Sequence, residues 1–337
     1  MGFEKIVGQE PVLESLKKTI KGGEISHAYL FSGPAGSGKK TLAFLFAQAL
    51  NCSGKDKNPC QQCLSCRKIL SGNHPDLYVL KPQGTSLKIG QLREIKENLY
   101  FLPMEGRKKV CIIHDAELMT LPAANSLLKI LEEPPKDLVF IILTARLWDL
   151  LPTIVSRCAR YTLTPLTGEK MGQILGRHDF VAPEEKEIII ALAGGNPGKG
   201  LEMALQGDWR KKYNEAVSLL KSIESGPAED VLHKAEEYAR KEDLQEILDL
   251  WLLIYRNRLF LKLGGPETFA HNFVQWSNGA GMANCEAGTI ERVEEQKSSL
   301  FLEKICRAII QLKKELYYNI NSRLALEALF LKMRGVV

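Results

Sequence analysis

No stretch of the 337 residues is apolar for long enough to cross a bilayer. The most apolar helical run, 248–261, is interrupted by Asp249, Arg256 and Arg258. The opening Met1-Gly2-Phe3-Glu4-Lys5 carries an acid early and leads into no apolar core, so no secretory signal is expected there. These absences predict a cytoplasmic protein with no membrane partner. An excess of one charge is also missing. The net charge of +5 is too small to establish nucleic-acid binding, although it does not oppose a phosphate backbone. No internal repeat is visible and no segment is disordered by composition. What remains, 45% hydrophobic and 25% charged residues, is ordinary for a soluble globular protein, and the length predicts two or three domains.

The eight cysteines are not spread as a disulfide framework would need. Cys52, Cys60, Cys63 and Cys66 share one short window, whereas Cys111, Cys158, Cys285 and Cys306 are scattered. In a cytosolic chain such clustering argues for metal. The spacing Cys52-x7-Cys60-x2-Cys63-x2-Cys66 fits four thiolates around a tetrahedral zinc, and a closed four-cysteine shell is structural because it keeps no open position.

Gly33 to Thr41 reads Gly-Pro-Ala-Gly-Ser-Gly-Lys-Lys-Thr, a phosphate-binding loop between an apolar strand at 27–32 and a helical pattern at 41–50. Gly33, Gly36, Gly38 and Lys39 are the residues expected to cradle phosphates, but Lys40 stands where a Ser or Thr hydroxyl should complete a Mg²⁺ shell. Thr41 comes one place late, about 100° further round the helix. The site is therefore read as a degenerate nucleotide site in which Mg²⁺ is not expected and binding of ATP or ADP is left open.

Further strands are expected at 110–113 and 138–143, with a helix between them that Thr120 caps, Pro122 enters and Pro134 stops. Alternating strands and helices over about 160 residues indicate an α/β domain with a parallel sheet. The strand at 110–113 runs into His114-Asp115-Ala116-Glu117. With His114 at the metal-ordering position and Asp115 at the water-activating one, both roles are compromised, since a neutral imidazole is a poor magnesium ligand and Asp is one methylene short. A register using Asp115 and Glu117 instead would restore an ATPase, and both readings stay open. Beyond Thr164-Pro165 the pattern turns helical, broken at Gly194-Gly195-Asn196-Pro197-Gly198, at Ser225-Gly226-Pro227 and over the glycine-rich 264–288. The expected domains are an α/β phosphate-loop domain at 1–165 with the zinc module at 52–66, a small helical domain at 166–207 and an all-helical domain at 208–337.

Val7-Gly8-Gln9, His27-Ala28-Tyr29-Leu30-Phe31 with the phosphate loop, the cysteine module, Ala123-Ala124-Asn125-Ser126-Leu127-Leu128-Lys129, Thr153-Ile154-Val155-Ser156-Arg157-Cys158 and Asn321-Ser322-Arg323-Leu324-Ala325-Leu326-Glu327 together resemble the clamp-loader branch of the AAA+ family, in bacteria a part of the DNA polymerase III holoenzyme. The resemblance implies an AAA+ core, a helical lid and a helical collar that joins subunits into a hetero-pentameric ring with γ/τ motor and δ subunits, acting on a sliding clamp and primer-template DNA. It implies that Arg157 is a finger reaching the neighbour's nucleotide, and that Thr144 is a polar sensor. It also implies a lid arginine where Gly198 stands, with Lys199 adjacent. Lys40, His114 and Gly198 depart from the motor pattern, so the expectation is a largely non-hydrolysing subunit that serves its neighbour's site. The alternative is an active ATPase motor of the same machine.

Overall fold

A computed structural model describes residues 2–54, 58–178, 183–206, 209–241, 243–264, 298–316 and 321–335. The described chain forms two compact units, Met1–Ile174 with Gly195–Lys199, and Leu175–Gly194 with Gly200–Val337.

The first unit is built on five parallel strands, β1 (Ala28–Ser32), β2 (Leu77–Leu80), β3 (Lys109–Ile113), β4 (Leu138–Thr144) and β5 (Ala159–Thr162), in the order β2-β3-β4-β1-β5. The three central strands β1, β3 and β4 are buried along their whole length, which is why they read as unbroken apolar runs. Their alternate residues serve two cores. Tyr29, Phe31, Val110, Ile112, Val139 and Ile141 pack on one face with Leu42, Phe46 and Leu50 of α2 (Lys39–Asn51) and Leu13 and Leu16 of α1 (Glu10–Gly22). Leu30, Cys111, Ile113, Phe140 and Ile142 pack on the other with Leu92 and Leu99 of α4 (Ile89–Tyr100) and Leu127 and Ile130 of α5 (Leu121–Glu132). A one-residue slip in any central strand would exchange these two sets.

Helix α3 (Leu64–Leu70) carries the end of the cysteine window, α6 (Pro152–Ser156) leads to Arg157, and α7 spans Gly168–Leu175. Helix α5 starts at Leu121 with Pro122 in its first turn and stops at Glu132, as the sequence indicated. Thr120 occupies its N-cap but makes no side-chain cap, its hydroxyl pointing to the Leu87 carbonyl at 3.5 Å.

The second unit is helical: α8 (Pro183–Ala193), α9 (Pro197–Gln206, begun in the first unit), α10 (Trp209–Ser225), α11 (Ala228–Ala239), α12 (Leu244–Lys262), α13 (Ser299–Leu316) and α14 (Ser322–Arg334). Trp251 of α12 is its largest fully buried side chain; its indole N–H donates to the Ala216 carbonyl at 2.8 Å and its ring meets Phe330 edge-on. Leu302, Ile305, Ile309 and Leu312 of α13 are buried in this core, with Leu316 partly buried against it. The glycine-rich segment expected at 264–288 lies, past Gly264, outside the described residues.

Candidate functional site

The phosphate loop leaves β1 at Gly33 and enters α2 at Lys39. Gly33, Gly36 and Gly38 all have positive φ (149°, 77° and 94°), a conformation that a side chain would strain, so the glycines are there for backbone shape. Lys39 is 8% exposed, and its Nζ donates to the Gly33 and Pro34 carbonyls at 2.6 and 2.8 Å. Burial lowers its pKa, opposed by the charges of Glu117 and Asp115. Lys40 and Thr41 are both exposed on the first turn of α2. The Gly33 N–H donates to the Thr144 carbonyl at 3.2 Å, tying the loop to the end of β4.

Thr144 is fully buried and its Oγ1 accepts from the Arg146 N–H at 3.1 Å. One residue on, the Ala145 N–H donates to Glu117 Oε1 at 3.1 Å. Glu117 is thereby held beside the loop by the end of β4, while Asp115, with φ 46°, is exposed. His114 is buried; burial and the charges of Lys40 and Lys81 lower its pKa against the pull of Asp115, keeping the imidazole neutral. Ser37 Oγ, His114 Nε2 and Glu117 Oε2 are buried with no hydrogen-bond partner among the described residues. Unpaired buried polar atoms are rare and mark a place where polarity serves something other than the core.

Gly195–Lys199 closes on this loop. Gly198 N–H donates to the Gly36 carbonyl at 2.9 Å, and Asn196 Nδ2 donates to the Ala35 carbonyl at 2.6 Å. A Cβ on Gly198 would lie 2.6 Å from Gly36 Cα, so the position expected to carry a lid arginine has no room for a side chain here. Lys199 is exposed. Sequence reading saw Gly198 only as a loss, and it missed Asn196; the Asn-Pro pair opening a helix is the signal that marks Asn196 as an N-cap.

Arg157 follows α6 on the surface. Its guanidinium bonds Glu132 Oε1 at 2.9 Å and the Thr153 carbonyl at 3.1 Å, with about a third of the side chain exposed. The adjacent Cys158 thiol is pushed up to about 12 by burial and is inert as a nucleophile.

The four clustered cysteines converge. Their Sγ atoms all lie within 4.8 Å of one another, and a tetrahedron with zinc–sulfur bonds of about 2.3 Å has edges of about 3.8 Å. Backbone N–H groups of Gly54 and Cys60 point at Cys52 Sγ, of Cys63 at Cys60 Sγ, and of Cys66 at Cys63 Sγ, at 3.3 to 3.5 Å. Such donors stabilise thiolates: against the cost of burial, N–H groups of Ser53 and Cys66 bring Cys63 to about 6, while burial raises Cys52 and Cys66. The donor set fits a metal such as zinc, and it knits the end of α2 to α3, where Gln48 Nε2 also donates to the Cys66 carbonyl at 2.8 Å.

Residues 8–167 match the family described as DNA polymerase III, delta subunit. The chain is 29% identical to DNA polymerase III subunit delta' of Bacillus subtilis (strain 168), over 97% of this chain and 96% of that protein. It is 30% identical to subunit tau of the same organism over 77% of this chain, and 34% identical to subunit gamma/tau of Mycobacterium tuberculosis (strain ATCC 25618 / H37Rv) over 65%. Of those two relatives the chain spans 50% and 40%. Among solved structures it resembles the gamma subunit-related protein of Thermotoga maritima MSB8, with a TM-score of 0.47 and 22% identity over 96% of this chain and 98% of that one. On its sequence relatives, and with an α/β phosphate-loop sheet and a four-cysteine cluster in place, the chain belongs to the clamp-loader family of DNA polymerase III.

Proposed function

We propose that the chain serves as the δ′ subunit of a bacterial clamp loader: a largely non-hydrolysing stator whose Arg157 completes the ATP site of an adjacent motor subunit while the ring loads a sliding clamp onto primed DNA. The observation that carries this reading is the phosphate loop, complete in its backbone but with Lys40 in the place of the magnesium-binding hydroxyl. Neutral, buried His114 supports it, because neither group is a ligand for a hard cation. Arg157, at the surface with about a third of its side chain exposed, supports the finger role: a guanidinium can bond a γ-phosphate bidentately and offset charge that develops in phosphoryl transfer. On this reading residues 166–207 form the lid and 208–337 the collar, the partners are γ/τ and δ subunits with clamp and primer-template DNA reached through the complex, the cysteine module holds one structural zinc, and the protein works in the cytoplasm.

Glu117 favours a second reading. Held by the Ala145 N–H beside Thr144, it stands where an acid could orient water, which is what a motor subunit would need. Steady-state ATP hydrolysis by the purified, zinc-loaded full chain, with Mg²⁺ and with or without primed DNA, separates the two. The stator reading expects no turnover; robust turnover overturns it and makes Asp115 and Glu117 working residues.

A further inference from the structure

In a phosphate loop the peptide N–H groups face the ligand and the carbonyls face away. Here the outward carbonyls are already engaged by the protein. Gly33 and Pro34 carbonyls accept from Lys39 Nζ, the Ala35 carbonyl from Asn196 Nδ2, and the Gly36 carbonyl from the Gly198 N–H. Among the described residues the N–H groups of Gly36, Gly38, Lys39 and Lys40 have no backbone acceptor, so one side of the loop is pinned and the other is open.

The segment that does the pinning is itself anchored. Leu166 N–H donates to the Gly195 carbonyl at 2.7 Å, and a Cβ on Gly195 would collide with Leu166. Two residues upstream, Thr164 exchanges both backbone bonds with the Gln9 side chain, Nε2 to carbonyl at 2.6 Å and N–H to Oε1 at 3.1 Å. Asn196 works twice: its Oδ1 caps the following helix at Lys199 N–H, 3.1 Å away, while its Nδ2 holds the loop. Gly198 has ordinary backbone φ, so its glycine identity answers to the approach of Gly36 and not to conformation.

We propose that Gly195–Lys199 is a built-in strap that holds the phosphate loop in one conformation without nucleotide, with Asn196 as its hydrogen-bonding residue and the Gly36–Gly198 contact as its joint. The loop's carbonyl side is thus ordered by the chain itself. This deepens the stator reading, on which it rests for its purpose, but its test does not depend on turnover.

The test is amide hydrogen exchange at Ser37 and Leu42, whose N–H groups donate to the Pro34 and Gly38 carbonyls at 3.1 and 2.9 Å, in the nucleotide-free full chain, read beside β3 and β4 as internal controls. Asn196→Asp keeps the acceptor that caps Lys199 N–H and loses the donor to Ala35; Gly198→Ala forces the joint apart. Both variants are expected to raise exchange at Ser37 and Leu42 about tenfold, the factor set by losing one net hydrogen bond, and to leave β3 and β4 unchanged. Asn196→Ser, which also caps but cannot reach Ala35, should match Asn196→Asp. Wild-type exchange in Asn196→Asp overturns the strap, as does loosening that spreads equally into β3 and β4. Turnover by the wild-type chain would refute the stator reading and leave this result standing on its own.

Discussion

Replacing Arg157 by Ala separates a contribution to folding from a contribution to a neighbour's chemistry. In this chain the guanidinium makes one ion pair with Glu132 and one bond to the Thr153 carbonyl, and the two side chains of the pair are 35% and 52% exposed. Exposed pairs of this kind are worth about 0–1 kcal/mol. The Thr153 bond, also exposed, adds about another 0.5 kcal/mol. The variant should therefore lose about 1.5 kcal/mol or less in urea unfolding and assemble normally. Leaving both contacts to reach another subunit's γ-phosphate costs the same small amount. A finger contributes about 10³–10⁵ in rate, or about 4–7 kcal/mol of barrier, so release is easily offset. The assay is DNA-stimulated ATP turnover by the reconstituted loader, in steady state and in a single turnover. The single-turnover measurement matters because other sites in a ring mask the loss of one. The expected result is that one motor site's fast phase disappears in Arg157→Ala and stays absent in Arg157→Lys, which restores charge without the bidentate fork. Glu132→Gln, which only frees the arginine, should not lower the rate. Wild-type kinetics in Arg157→Ala, with a normal ring, refute the trans role.

Metal analysis of the chain purified under reducing conditions should give about one zinc per chain, and none in Cys63→Ser with Cys66→Ser; absence from the wild type removes the zinc assignment. Asp76, fully buried, accepts from the Met104, Glu105 and Gly106 N–H groups at 2.7 to 2.8 Å, and these bonds outweigh burial to lower its pKa. A depressed folded pKa means that its stabilisation is present above the unfolded value of about 4 and is lost as pH falls through the folded one. Asp76→Asn should accordingly cost about 3 kcal/mol at pH 7 and flatten the dependence of urea midpoint on pH below about 4; an unchanged slope refutes the account. In the helical unit, Glu224 is 4% exposed and bonded by Arg258 at 2.9 Å and by the Tyr255 hydroxyl at 2.8 Å. Arg258→Ala takes the cation from beside that carboxylate and should cost about 3 kcal/mol, measured by thermal melting, whereas a loss under about 1 kcal/mol would show that Glu224 is satisfied without it.

What the sequence made legible was set by burial. Strands β1, β3 and β4 are covered on both faces and read as apolar runs, so their expected positions agree with the observed ones to within a residue or two. Strands β2 and β5 were not anticipated. Each is four residues long at a sheet edge, and β5 places Arg160 and Thr162 outward, so neither gives an uninterrupted apolar signal. The cysteine cluster was legible because ligand spacing is a local property, and its sulfur atoms do converge. Asp76, Gln9 and Asn196 were not, because each acts on backbone far along the chain: Gln9 on Thr164, Asn196 on Ala35. Hydrogen bonds from a side chain to a distant main chain leave no periodicity to read.

Gly198 shows how a substitution can be legible while its meaning is not. Along the sequence it is an arginine that is missing, and missing residues suggest decay. In the structure the same glycine lets two backbones meet, with its N–H on the Gly36 carbonyl, and an arginine at that point would have to displace the loop it was expected to sense. Lys40 then takes on a different sense as well. A loop whose outward carbonyls are held by Lys39, Asn196 and Gly198 does not need a metal to shape it, so the hydroxyl that would have served that metal is free to change. Under the strap and the stator reading proposed above, the two departures become one adaptation: the chain itself holds the loop's shape, and Arg157 would stand on a frame with no hydrolytic cycle of its own.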